Sequence, residues 1–199
     1  MVKFRRISVA INKNLKLTSS RPWIAAYRWP IYFFVAVAFW NLVGAGLFGF
    51  MINPPIALYY MQGLNTTPVH AHAALFGVYG MLGLGLLLFC LRAMQPSAQW
   101  NERLLAFGFW SINIGLLAMI VLSVFPIGLI QTWASVEHSY AYARSSELMQ
   151  LPYVKALRWM RIPGDTLFAA GAMAIIAFVF GIGRRSGKAV DQRPTAISQ

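Results

Sequence analysis

Four stretches of this chain are each long and apolar enough to cross a bilayer, and no other feature narrows its fold so far. A helix needs about 20 predominantly apolar residues to span the hydrocarbon core. Such stretches run roughly from Ile31 to Ile52, His70 to Leu91, Leu104 to Ile130 and Asp165 to Gly183. Pro30 sits just ahead of the first, where a missing N–H is harmless. Pro126 lies inside the third and predicts a kink or an end there. No strand-like alternation competes, and a lipid-embedded backbone must satisfy its own hydrogen bonds. The expected fold class is all-α and integral to the membrane, with four transmembrane helices. Composition agrees: 58% of the 199 residues are hydrophobic and 11% are charged, against about 25% charged in soluble domains.

The charges orient the spans. The net charge of +12 could suggest nucleic acid, but the uncharged runs favour a lipid bilayer as the partner. Seven basic residues precede the first span: Lys3, Arg5, Arg6, Lys13, Lys16, Arg21 and Arg28. Arg92 and Arg103 flank the second connection, and Arg184, Arg185, Lys188 and Arg193 follow the fourth span. On the opposite side the 53–69 loop has no basic residue, and the 131–165 loop has Arg144, Lys155, Arg158 and Arg161. The positive-inside rule puts both termini in the cytoplasm. Residues 1–28 read as a basic cytoplasmic tail, with a membrane-surface helix as the alternative. Their apolar run, Ile7 to Ile11, is too short for a secretory signal. Residues 184–199 read as a second cytoplasmic tail. The 131–165 loop is long and rich in Trp and Tyr, which predicts an ordered segment with a short interfacial helix.

Single residues carry further expectations. Cys90 is the only cysteine, which excludes an intrachain disulfide and a Cys-rich metal site; it reads as a small apolar filler. Asn41 is expected to hydrogen-bond across helices. Asp165 and Thr166 are expected to start and cap the fourth helix. His138 reads as an outer-surface residue. Glycines stud the first two spans and predict close helix packing.

His70 and His72 stand apart, because ionisable residues inside a span are costly and mark function by default. Helical positions i and i+2 point about 200° apart. The pair therefore faces opposite sides of one helix and cannot chelate a single small metal, for which i and i+4 suits. Each imidazole can serve a different neighbour. Histidine is a common axial ligand of haem iron, so one helix could hold a haem on either flank. Ordinary interfacial, hydrogen-bonded histidines remain the other reading of the spacing.

The surrounding residues are more specific. Trp29 to Arg92 reads WPIYFFVAVAFWNLVGAGLFGFMINPPIALYYMQGLNTTPVHAHAALFGVYGMLGLGLLLFCLR. This run resembles the C-terminal helices of the quinol-dependent nitric oxide reductases, members of the haem–copper oxidase superfamily. The resemblance continues through LLAFGFWSINIGLLAMIVLSVFPIGLIQTWASVEHSYAYARS to LRWMRIPGDTLFAAG, covering residues 29–183; residues 1–28 read as a tail of no recognised family. It implies a C-terminal portion of the subunit I helical bundle, in the bacterial inner membrane. It also implies that His70 is the proximal ligand of the high-spin haem b and His72 an axial ligand of the low-spin haem b. Arg158 and Arg161 are candidate partners of haem propionates. Ala71 stands where these reductases commonly carry Gly, and Ser139 and Ala141 follow His138 where Gly and Trp are expected.

The implied activity is reduction of two NO to N2O and water, with electrons from quinol. The family's subunit is much longer. It holds its non-haem iron and the second low-spin haem ligand on earlier helices, whereas this chain has one further histidine, His138. The resemblance therefore implies a truncated catalytic subunit, inactive alone: either it works with a separate chain supplying the other helices or it is the remnant of a broken gene. A small four-helix membrane scaffold without a cofactor is the alternative.

Overall fold

The fold is that of a computed structural model, which describes residues 22–96 and 98–191. Most of the 1–28 segment and residues 192–199 lie outside the described residues. Every regular element among the described residues is helical. Four long helices dominate: α1 (Arg28–Ile52), α2 (Thr66–Met94), α3 (Glu102–Glu137) and α4 (Arg161–Asp191). The first three, and the run Pro152–Ile182 that takes in much of α4, are long and apolar enough to cross a membrane. The chain is a membrane protein with the expected four spans.

The ends differ from expectation for local reasons. α3 does not stop at Pro126 but continues to Glu137. Immediately before the proline the helix widens into a π-helical segment, Ile120–Val124. A proline clashes with the carbonyl four residues back, here Leu122, and the wider turn accommodates the ring. α4 begins at Arg161 rather than at Asp165. Pro163 falls in its first turn, where no N–H is needed. Asp165 does not cap the helix but pairs with Arg161 at 2.9 Å, and Thr166 donates to the Ile162 carbonyl at 2.9 Å. The backbone remains helical through Asp191, into the segment expected to be a tail. Cys90 is exposed rather than a core filler.

The helices alternate up and down. At one end Arg28 of α1 donates to Glu102 at the start of α3, 2.5 Å away, and Trp29 Nε1 donates to the same carboxylate. Arg92, near the end of α2, donates to the Ala98 carbonyl at 3.0 Å and lies over the Trp100 ring. At the other end the Asn65 N–H donates to Gln131 Oε1 at 2.9 Å. Tyr140 there donates to the Gln62 carbonyl. Short helices Pro55–Met61, Tyr140–Ala143, Ser146–Met149 and Pro152–Trp159 fill the connections at that end. Ser139 and Ser145 cap two of them, satisfying N–H groups that a short helix leaves open. The long connection is thus ordered, and His138 is exposed at the end of α3.

Packing decides which faces meet, since lipid tails are as apolar as the side chains and burial alone drives little. Phe33, Trp40, Val69, Ala73, Leu105 and Leu116 form part of the buried core. Val35, Phe39, Leu42 and Phe50 point outward, which would be a liability in water and is not one in lipid. α3 and α4 approach backbone to backbone. A Cβ placed on Gly115 would lie 2.6 Å from the Phe168 nitrogen. Trp40 Nε1 donates to Asn113 Oδ1 at 2.9 Å, tying α1 to α3. Asn113, not Asn41, makes the cross-helix polar bond; Asn41 is exposed and opens onto a cleft described below.

Candidate functional site

The first turns of α2 carry the histidine pair. Val69 and Ala73 are fully buried, so this face of α2 is fixed against the core. Residues 70 and 72 then fall on its two flanks, and each lines a different cleft.

His70 lies against α1. Its Nδ1 is 2.8 Å from the Gly44 carbonyl. A carbonyl can only accept, so Nδ1 carries the proton and Nε2 is the unprotonated nitrogen of the neutral ring. The approach depends on missing side chains. A Cβ on Gly44 would lie 2.6 Å from Ala73 Cβ, and a Cβ on Gly49 would lie 3.0 Å from His70 Cε1. The cleft beside His70 measures about 390 Å³ and is lined by Asn41, Ala45, Ala71, Ala74, Val78 and Tyr79, among others.

His72 uses its own helix. Its Nδ1 donates to the Pro68 carbonyl one turn back, at 2.7 Å, so in the neutral ring Nε2 is again the nitrogen with the lone pair. Arg161 Nη2 lies 3.4 Å from that Nε2. The cleft on this side measures about 500 Å³ and is lined by Asn65, Ser123, Ile127, Met149, Arg158 and Arg161, among others. Two arginines make it the charged cleft, whereas no charged side chain lines the His70 cleft. Arg158 and Arg161 do not share one helix: Arg158 belongs to Pro152–Trp159 and Arg161 opens α4.

Three π-helical segments interrupt the spans, and all of them line these clefts. Asn41–Phe48 supplies Asn41 and Ala45, Leu75–Gly80 supplies Val78 and Tyr79, and Ile120–Val124 supplies Ser123 and Val124. Such segments are rare and concentrate at functional sites. Sequence reasoning missed them, along with Gly44 as the partner of His70. Asp165 as the partner of Arg161 was within reach, because i and i+4 are neighbours on a helix.

The donor set suits a planar metal complex on each flank, with peripheral carboxylates matched by arginines on the His72 side alone. Neutral imidazoles with Nδ1–H engaged by a carbonyl are oriented, more basic ligands. Both volumes fall in the range of about 300–1,000 Å³ usual for small-molecule and cofactor sites. Paired guanidinium groups recognise carboxylates. Among the described residues no three His, Cys, Asp or Glu side chains come together.

Four long apolar helices, with every regular element among the described residues helical, define an all-α membrane protein. The chain belongs to the family described as cytochrome C and quinol oxidase polypeptide I, whose model matches residues 9–167. It is also similar to a nitric oxide reductase subunit of Stutzerimonas stutzeri, with 28% identity over 135 residues. That similarity covers 65% of this chain but only 27% of the relative's length.

Proposed function

We propose that this chain is the portion of a membrane nitric oxide reductase catalytic subunit that carries the helix between two b-type haems. His70 ligates the high-spin haem, and His72 ligates the low-spin haem from the opposite face. Arg158 and Arg161 neutralise propionates on the His72 side. The observation that carries this is the matched state of the two rings: each spends Nδ1–H on a backbone carbonyl, and each lines its own cleft. Bound haem would supply the redox chemistry, taking electrons from quinol and reducing NO to N2O beside a non-haem iron. The chain's own share is to hold each iron at a fixed Nε2, to orient the rings through Gly44 and Pro68, and to balance carboxylate charge. The non-haem iron ligands and the second ligand of the low-spin haem come from helices outside these 199 residues. The protein lies in the bacterial inner membrane with both termini cytoplasmic and the histidines toward the outer face.

The test is haem content of the full chain, co-expressed with a chain supplying the family's preceding helices. A b-type difference spectrum is expected. His72→Ala should remove its low-spin component, and His70→Ala its high-spin component. A folded complex without haem, or one whose spectrum survives both substitutions, would refute the proposal. It would favour the second reading, a four-helix scaffold without cofactor. That reading draws on one contact, the Arg161 hydrogen bond that satisfies His72 Nε2 without any metal.

A further inference from the structure

The Nε2 atom of His72 is not bare. Arg161 Nη2 lies 3.4 Å from it. The Nε of the same guanidinium donates to both Asp165 oxygens, at 3.2 and 2.9 Å. A guanidinium can only donate, so the contact requires an unprotonated Nε2. The Pro68 carbonyl independently imposes that tautomer by accepting from Nδ1. Asp165 sits one turn beyond Arg161 on α4, so the pair is set in one rigid element. The Arg161 side chain is 41% exposed, so it can swing without repacking the core. Arg158 lines the same cleft but makes no hydrogen bond to His72 among the described residues.

We infer that Arg161 is a displaceable cover over His72, positioned by Asp165. Without a ligand, the guanidinium occupies the Nε2 lone pair. A metal complex with peripheral carboxylates takes that lone pair and offers the guanidinium a carboxylate in exchange. The hydrogen bond to His72 and the complex's bond to a labile water break, one coordinate bond and one ion pair form, and no proton moves. The exchange, though not the cover itself, rests on the proposed ligand role of His72.

Diethyl pyrocarbonate acylates unprotonated imidazole nitrogen and tests the cover directly. The full chain is treated in detergent, and each histidine is read separately by peptide mass spectrometry. His138, which is exposed, is the fast reference. His72 should react slowly. Arg161→Met and Asp165→Asn should each raise its rate about fivefold, the scale of one charged hydrogen bond in a half-exposed setting. The rate at His70 should not change, because Arg161 does not reach that ring; a merely structural role would loosen α2 and raise both rates together. An unchanged His72 rate, or a parallel rise at His70, overturns the cover. The exchange is then read with iron protoporphyrin IX, using added imidazole as the second axial ligand. Arg161→Met should bind it faster but more weakly than the natural chain, and the porphyrin dimethyl ester should erase the difference in affinity. Unmasking of His72 with no porphyrin binding in either chain would overturn the exchange while leaving the cover standing; the haem role itself is refuted only by a folded co-expressed complex without haem.

Discussion

Replacing Gly44 by alanine should disturb His70 although residue 44 has no side chain to lose. The added Cβ would sit 2.6 Å from Ala73 Cβ, 2.7 Å from Ala73 C and 2.9 Å from its carbonyl oxygen. Two of these atoms are backbone and cannot rotate away. Carbon atoms rest about 3.5–4.0 Å apart, so α1 and α2 must separate locally by about 1 Å. A separation of that size would stretch the bond between Gly44 O and His70 Nδ1 from 2.8 Å well beyond the usual range of about 2.7–3.2 Å. Overpacking destabilises by about 1–3 kcal/mol. Leaving a partly buried Nδ1–H without its acceptor adds about 1 kcal/mol. Better helix propensity returns up to about 1 kcal/mol. Gly83→Ala is the control, because a Cβ there meets nothing within 4 Å and gains only propensity. Denaturant unfolding in mixed micelles, followed by circular dichroism, should therefore place Gly44→Ala roughly 2–4 kcal/mol below Gly83→Ala. Histidine NMR should show faster exchange of the His70 Nδ1 proton. If Gly44→Ala is as stable as Gly83→Ala, the close approach of α1 to α2 at this point is wrong.

Three further outcomes follow from the packing. Gly115→Ala would press a Cβ to 2.6 Å from the Phe168 nitrogen and 2.8 Å from the Gly164 carbonyl, and should lower stability in the same assay by about 2–3 kcal/mol. Trp40→Phe removes the bond to Asn113; cross-helix bonds of this kind average about 0.6 kcal/mol and reach about 1.7, and the same melts should show a loss of that order plus a small cavity term. Arg28→Gln opens an ion pair whose side chains are 47% and 46% exposed. It should change stability by less than about 1 kcal/mol, with the gap closing as salt is raised.

The number of spans and the opposed histidines were legible because one follows from run length and the other from helical periodicity. Runs of about 20 apolar residues fix the spans, and a turn of about 100° per residue puts residues 70 and 72 on opposite flanks. Arg158 and Arg161, named from the sequence as candidate propionate partners, line the same cleft as His72. What stayed hidden depends on contacts between elements. Nothing in the sequence near Gly44 says that its carbonyl, rather than that of another residue, meets His70. The π-helical segments leave no compositional mark, except that Pro126 follows one of them for a steric reason. Asn41 and Asn113 are both mid-span amides, and only the rotation of α1 and α3 decides that Asn113 is the one that meets Trp40. Asp165 was misassigned because an acid after Pro-Gly looks like a helix start.

One consequence of the shared helix concerns both clefts at once. His70 is held from outside, by a carbonyl of α1, whereas His72 is held by a carbonyl of α2 itself. The rings point in nearly opposite directions from one axis, so turning α2 toward either cleft swings both rings together. The environment of His72 is therefore set partly by what fixes α2 on the far side. That fixing comes from the buried Val69 and Ala73 and from the bare backbone of Gly44. A glycine that lines neither cleft thus sets the ring orientation in one and, through the rotation of α2, the distance from His72 to Arg161 in the other.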